Sequence, residues 1–371
     1  MSAKFTLAFV LFGVVGLYQY AQQPTTVVFA AELKAKKLIS FGWGSPDTQY
    51  VREHWQQIEE MPFDGAGIVM PVDRQAWQQG QRRTGNQLGW QIMGKKAFHP
   101  EDFRVATEDL KAAKWRKVTD NFLPVFLSAA QSTIGLNWFD DERWRIVENN
   151  FRTLARIASD TGHKGLMLDP EHYNYNLFNY RDQHRQLDRP FEVYTQKARE
   201  RGRAVMAAIA AAMPKAVLLS LYGYTLPLLY LKSSQSLPET QYNLLPAFYD
   251  GLLEAMPSEA MLVDGYEQAY AFKQHRQFTE GYGQIQEAAK LSAVPEHYRR
   301  KVKAGFGLWV DYRKQPNYFT PEEFQRAVTS ALKVSDGYVW IWSETVGFFP
   351  PSKIEPSYIK ALAAARDDAS R

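Results

Sequence analysis

The chain has 371 residues, 45% hydrophobic and 23% charged, enough to bury a sizeable core in one large domain or two smaller ones. A net charge of +4, with basic residues scattered, leaves no nucleic-acid footprint, and the absence of cysteine excludes disulfides, thiolate nucleophiles and zinc–thiolate sites. Aromatic residues make up 14% of the sequence, which points to a cleft that stacks flat rings.

The first residues read as an export signal. Lys4 precedes an apolar stretch, Phe5 to Tyr18, of signal-peptide length and short of the roughly 20 apolar residues that span a membrane. Val28-Phe29-Ala30 offers small residues for cleavage but lies far from the apolar core. Residues 1–30 are therefore read as a signal peptide or as an uncleaved N-terminal anchor, tethering an exported (periplasmic or extracellular) protein to the membrane.

From residue 38 onward, short apolar runs alternate with helical patterns. The strands are predicted at 38–43, 65–70, 121–127, 165–169, 217–222, 261–264, 305–311 and 337–342. Most are continuously apolar, as parallel strands buried on both faces are. Helices are predicted at 48–60, 100–114, 140–159, 193–213, 242–255, 278–291, 320–334 and 357–366; Thr320-Pro321-Glu322-Glu323 opens one of them with a cap and a first-position proline. Eight strand–helix repeats predict a single α/β domain over 38–371, a (β/α)8 or TIM barrel. Its longest strand-to-helix loops follow the second strand (71–99) and the fourth (172–192), and in this fold such loops form the active-site rim.

The predicted strand ends carry acids among aromatics. The fourth ends Leu166-Met167-Leu168-Asp169-Pro170-Glu171-His172-Tyr173, with Asp169 and Glu171 two positions apart and thus expected to project together. Asp264, Tyr266 and Glu267 end the sixth strand, Trp309 and Asp311 the seventh, and Trp340, Trp342 and Glu344 the eighth. Trp43 ends the first and Tyr222 the fifth, and no lysine stands among these ends, which argues against a Schiff-base mechanism. Paired carboxylates beside an aromatic cleft are the machinery of glycosidic-bond hydrolysis, one protonated and one ionised. A carbohydrate is therefore the expected partner. Glu171 ranks first as a catalytic group, followed by Asp169, Asp264 and Glu344; Trp43, Tyr173, Tyr222, Tyr266, Glu267, Trp309, Asp311, Trp340 and Trp342 are the expected substrate contacts.

The Leu168-Asp169-Pro170-Glu171, Asp264/Tyr266 and Trp340-Ile341-Trp342-Ser343-Glu344 segments resemble those of (β/α)8 glycoside hydrolases, chitinase-like families among them. The resemblance implies that Glu171 is the proton donor, Asp169 its partner, and Trp340 or Trp342 the floor of a sugar subsite. The chain departs from the chitinase pattern at Gly165 and Met167, where that family carries two further acids, which puts substrate-assisted chemistry in doubt. In other barrel glycosidases an Asp pair on strands four and six does the work, and there Asp169 attacks while Asp264 protonates.

Two other readings stay open: a barrel that binds carbohydrate without cleaving it, and a metal-dependent hydrolase. His163 and His172 flank the fourth strand, but the first strand has no histidine pair, so neither metal nor other cofactor is expected. The Tyr173–Tyr180 run, rings alternating with amides, reads equally as a sugar-binding lip or as an ordered polar loop, while Trp77 and Trp90 read as lining the same cleft or, with a slight preference, as packing on the barrel top.

Overall fold

A computed structural model describes residues 36–371 apart from 130–132, 134, 188, 232–235, 316–317 and 352–353. The segment read as a signal or anchor lies outside the described residues, among which no helix is long and apolar enough to cross a membrane.

Eight parallel strands form one sheet: β1 (Lys37–Gly42), β2 (Gly65–Ala66), β3 (Phe122–Phe126), β4 (Gly165–Asp169), β5 (Val217–Ser220), β6 (Met261–Asp264), β7 (Val302–Trp309) and β8 (Tyr338–Ser343). Their order is β2-β1-β8-β7-β6-β5-β4-β3, and one parallel bridge between Gly67 and Phe122 joins the two edges into a barrel. The eight main helices are α1 (Thr48–Glu60), α2 (Arg104–Ala112), α3 (Asp141–Asp160), α4 (Phe191–Ala210), α5 (Leu245–Ala255), α6 (His275–Glu287), α7 (Pro321–Val334) and α8 (Pro356–Ser370). The chain is a (β/α)8 barrel.

Local chemistry sets the boundaries. Asp47 accepts the Tyr50 N–H at the start of α1, Asp140 accepts the Arg143 N–H at the start of α3, and Thr320 with Glu323 forms a reciprocal capping box on α7. Within the strands, side chains alternate between two apolar layers. Ile39, Phe122, Met167, Val217, Leu219, Val263 and Trp340 fill the lumen, while Leu38, Leu123, Leu166, Leu218, Leu262 and Val339 meet the helices. A Cβ on Gly307 would sit 2.4 Å from the Trp340 ring, so this glycine is what makes room for the indole in the lumen.

The second strand is shorter than the 65–70 expected. Beyond Ala66 the chain changes partners residue by residue: Gly67 pairs with Phe122, Val69 with Asp47 and Pro71 with Gln87, so no ladder continues. The two long loops also hold short helices, at Arg74–Gln78, Leu88–Gln91 and Tyr180–Leu187, which period-based reading passes over because they span only about one to two turns.

Candidate active site

Asp169 is the last residue of β4 and shares the lumen face with Met167. Pro170 ends the ladder, and the next N–H, that of Glu171, turns back to donate to Asp169 Oδ1 at 2.9 Å. Tyr173 is fixed by its own backbone, which donates to the Ser128 carbonyl at 3.1 Å and pairs with Ala129 on the extension of β3. Its hydroxyl stands 2.7 Å from Asp169 Oδ2 and 2.9 Å from Glu171 Oε2, which keeps those two oxygens within about 5.6 Å, the sum of the two contacts.

A phenol carries one hydrogen and cannot donate fully to two acceptors. Both contacts are good hydrogen bonds when one carboxyl is protonated and donates to the phenol oxygen. The electrostatics agree. Burial, then the charge of Glu171, pushes the Asp169 carboxyl up to about 7, and burial raises Glu171 as well. The two titrate as one unit, which keeps a proton close to neutral pH.

A third carboxyl joins them from β6. Tyr266 adopts a left-handed conformation, φ 39°, and turns the chain into a short 3-10 helix over Glu267–Ala271. The Glu267 N–H donates to the Leu221 carbonyl at 3.1 Å. Residues three apart eclipse in a 3-10 turn, so Tyr270 lies on the same side as Glu267. Glu267 is 9% exposed. Burial, followed by the charges of Glu171 and Asp169, raises its pKa well above the usual range, while the Tyr270 and Tyr222 hydroxyls turned toward it act the other way. Asp169, Glu171 and Glu267 therefore sense one another within a single cluster, interleaved with Tyr173, Tyr222 and Tyr270.

Aromatic rings wall this cluster. Trp43, 48% exposed, stacks on Trp90 at 6.3 Å and 21°, and meets the edge of Trp342 at 5.7 Å. Trp90 in turn stacks on Phe126 at 4.1 Å and lies 4.9 Å from Tyr173. Tyr270 packs on Trp309 at 5.4 Å and on Trp340 at 5.3 Å. On the far side His172 stacks on Tyr242 at 3.9 Å, and Tyr242 on Tyr230 at 5.8 Å.

Several expected site residues lie elsewhere. Asp264, expected as a catalytic acid, follows Leu262 on the outward face of β6 and is fully buried. It accepts the Gly223, Thr225 and Tyr266 N–H groups and the Thr225 hydroxyl, so it ties the β5 loop to β6 rather than facing the mouth. A Cβ on Gly223 would come within 2.2 Å of this carboxylate, so only glycine permits the approach. Tyr266, expected as a substrate contact, packs on Phe272 and Phe306 beneath α6 and donates its hydroxyl to Gln284 Oε1 at 2.6 Å. Trp340 has no exposed surface and donates its indole N–H to the Gly265 carbonyl, so it supports the floor from below without touching a ligand.

Asp311 accepts the Trp309 indole N–H, the Glu344, Thr345 and Val346 N–H groups and the Thr345 hydroxyl; these bonds outweigh the cost of its burial and hold its carboxyl below the usual range. It anchors the loop after β8. Glu344 accepts the Trp342 indole N–H at 3.1 Å on that same side of the mouth.

His172 is driven to about 3 by burial and stays neutral, and His163 lies before β4, at the opposite end of the barrel, against the Thr161 hydroxyl. Among the described residues no three His, Asp or Glu side chains are grouped to hold a metal ion. Most of the amides in the 173–180 run are used internally: Asn176 and Asn179 donate to Asp182, and Asn179 accepts the Tyr242 N–H. Trp77 donates to Asp47. Trp90, by contrast, stands at the cluster as the less favoured of its two readings had it, and Tyr270 and Tyr242 stand there without having been expected. Tyr270 was legible as the i+3 partner of Glu267; Tyr242 comes from a loop whose path no local pattern reveals.

No family model matches this sequence, and no curated protein matches it. Solved structures share its fold. A Bacteroidetes-affiliated glycoside hydrolase family 5 cellulase superposes over 91% of this chain and 92% of its own, at 9% identity and a TM-score of 0.51. The tri-modular endo-β-1,4-glucanase B of Bacillus halodurans matches over 91% of this chain and 60% of its own, at 9% identity and a TM-score of 0.49. A family 18 chitinase from Pseudoalteromonas aurantia matches over 89% and 99%, at 11% identity and a TM-score of 0.41. At such identities the likeness, led by the cellulase, is one of fold: this chain is built on the same (β/α)8 scaffold as that glycoside hydrolase.

Proposed function

We propose that this chain is a glycoside hydrolase cleaving glycosidic bonds in a polysaccharide or oligosaccharide. The observation that carries the reading is the Asp169–Tyr173–Glu171 unit, a proton-holding carboxyl pair at the mouth of an aromatic-walled barrel. Glu171, the more exposed of the two, gives its proton to the glycosidic oxygen as the bond to the anomeric carbon breaks. Asp169, 3% exposed beneath it, is the partner that exchanges the proton through the Tyr173 hydroxyl. Glu267, reaching the cluster from β6, holds a proton in the resting site; once that proton has passed to the neighbouring acids or to water, its carboxylate meets the anomeric carbon, directly or through a water it deprotonates. Trp43, Trp309 and Trp342 provide faces for sugar rings. A barrel of this kind also carries the family 5 cellulase, which fits the reading. The apolar run from Phe5 to Tyr18 supports export, and the single barrel over 38–371 is proposed as one catalytic unit.

The test is a glycan hydrolysis screen of the wild type against Glu171→Gln. The variant should lose about 10²–10⁴-fold in kcat with an unchanged melting temperature. Activity that survives would move the acid elsewhere in the cluster. Carbohydrate binding with no turnover by the wild type would leave a binding barrel.

A further inference from the structure

The exposed rings at the mouth stand in two places, and the sheet order puts these places opposite each other. Trp43 follows β1 and meets Trp342 of β8, while Tyr230 and Tyr242 follow β5 and His172 follows β4. In the order β2-β1-β8-β7-β6-β5-β4-β3, the β1/β8 pair and the β4/β5 pair are separated by two strands on either route around the barrel. They are diametrically opposed across the opening.

Each place is the outer end of a short file of rings that runs inward to the acids. One file passes from Trp43 to Trp90 at 6.3 Å and on to Tyr173 at 4.9 Å, and the Tyr173 hydroxyl holds Asp169 and Glu171. The other passes from Tyr230, 43% exposed, to Tyr242 at 5.8 Å and then to His172 at 3.9 Å, the residue next to Glu171. A pocket that trims single end units has rings on one side of its acids and a wall on the other. Here open ring faces lie on both sides.

The charge of the mouth narrows the occupant. Three carboxyls, Asp169, Glu171 and Glu267, gather there among the Tyr173, Tyr222 and Tyr270 hydroxyls. A chain carrying uronate or sulfate groups would be repelled wherever one of these acids is ionised.

We infer that the mouth is a through-cleft for an uncharged polysaccharide, gripped by Trp43 on one side and Tyr230 on the other, and that cleavage falls within the chain. This rests on the glycosidase reading and adds to it the mode of attack and the substrate class. The cleft binds the polymer whether or not the acids turn it over, so binding is measured first.

The experiment is affinity electrophoresis of the wild type, Trp43→Ala and Tyr230→Ala in gels containing hydroxyethyl cellulose, xyloglucan, glycol chitin or polygalacturonate, with melting temperatures confirming that each variant is folded. At least one uncharged polymer should retard the wild type, each substitution should weaken that retardation about tenfold in apparent Kd, and polygalacturonate should have no effect. With any polymer that is cleaved, viscosity should fall well before reducing ends accumulate, and the preference for polymer over the matching 4-nitrophenyl glycoside should drop about tenfold in both variants. Retardation that depends on one arm only, strongest retardation by polygalacturonate, no retardation at all, or release of end units at constant viscosity would each overturn the inference. Retardation through both arms without turnover would uphold the cleft and remove the glycosidase reading instead.

Discussion

The ends of β4 and β6 look alike on paper and behave in opposite ways. Each ends in an aspartate, Asp169 or Asp264, with a glutamate two or three residues on. At β4 the aspartate is in register with Met167 and faces the lumen, so Asp169 and Glu171 project together and share Tyr173. At β6 the inward residue is Val263, one position earlier, so Asp264 points outward and is spent on the Gly223 and Thr225 N–H groups. The left-handed turn at Tyr266 then brings Glu267 back to the mouth. A strand has a period of two, so a shift of one residue separates an acid that can do chemistry from one that holds a loop.

The sharpest way to break this comparison is to neutralise both aspartates. Asp169→Asn should cost about 10²–10³-fold in kcat, because the partner of the proton donor is lost, with little change in melting temperature. The Tyr173 hydroxyl can reverse and accept from the new amide. Asp264→Asn should keep kcat per folded molecule and lose about 3 kcal/mol of stability, read by urea unfolding. Three fixed backbone N–H donors, spread over both carboxylate oxygens, then face an amide that offers only one acceptor oxygen. Loss of activity in the second variant at full stability would mean that the outward assignment is wrong.

A smaller effect follows from pH. Folded Asp169 keeps its proton up to about 7, whereas an unfolded aspartate loses it near 4. Between these values the folded state binds more protons, so stability should fall as pH rises through that window and level off above it. Asp169→Asn removes this group, and its unfolding free energy should decline less steeply than the wild type's from pH 4 to 7, by on the order of 1 kcal/mol or more in total. An equal slope in the two proteins would show that Asp169 ionises normally. The smallest effect is expected at Tyr266→Phe. The lost hydrogen bond to Gln284 should cost about 1 kcal/mol in urea unfolding, and KM should stay at the wild-type value.

These contrasts also mark how far the sequence could be read. All eight strands lie where short apolar runs met turn residues, because a barrel strand buried on both faces must be apolar throughout. That same property hides the facing. With no polar alternation along Met261-Leu262-Val263-Asp264, nothing local tells which side Asp264 takes. Trp340 and Trp342 share a face, yet one is sealed under Tyr270 and the other opens at the mouth, a difference set by depth along the barrel axis. Trp90 and Tyr242 reach the acids from distant loops, and their position is a product of tertiary packing.

The closure of the barrel has a consequence of its own. Seven of the eight strand junctions are hydrogen-bonded ladders, whereas β2 and β3 meet at the single Gly67–Phe122 bridge, just before the 71–99 loop that delivers Trp90. That junction is the clasp of the ring. Around that bridge the Asp120 N–H donates to the Asp64 carbonyl at 2.8 Å, the Ala66 N–H to Asn121 Oδ1 at 3.0 Å and the Ile68 N–H to the Phe122 carbonyl at 2.9 Å. The β2–β3 side, with the Trp90 face it carries, therefore owes its place to bonds made one by one between 64–68 and 120–122 rather than to a regular ladder.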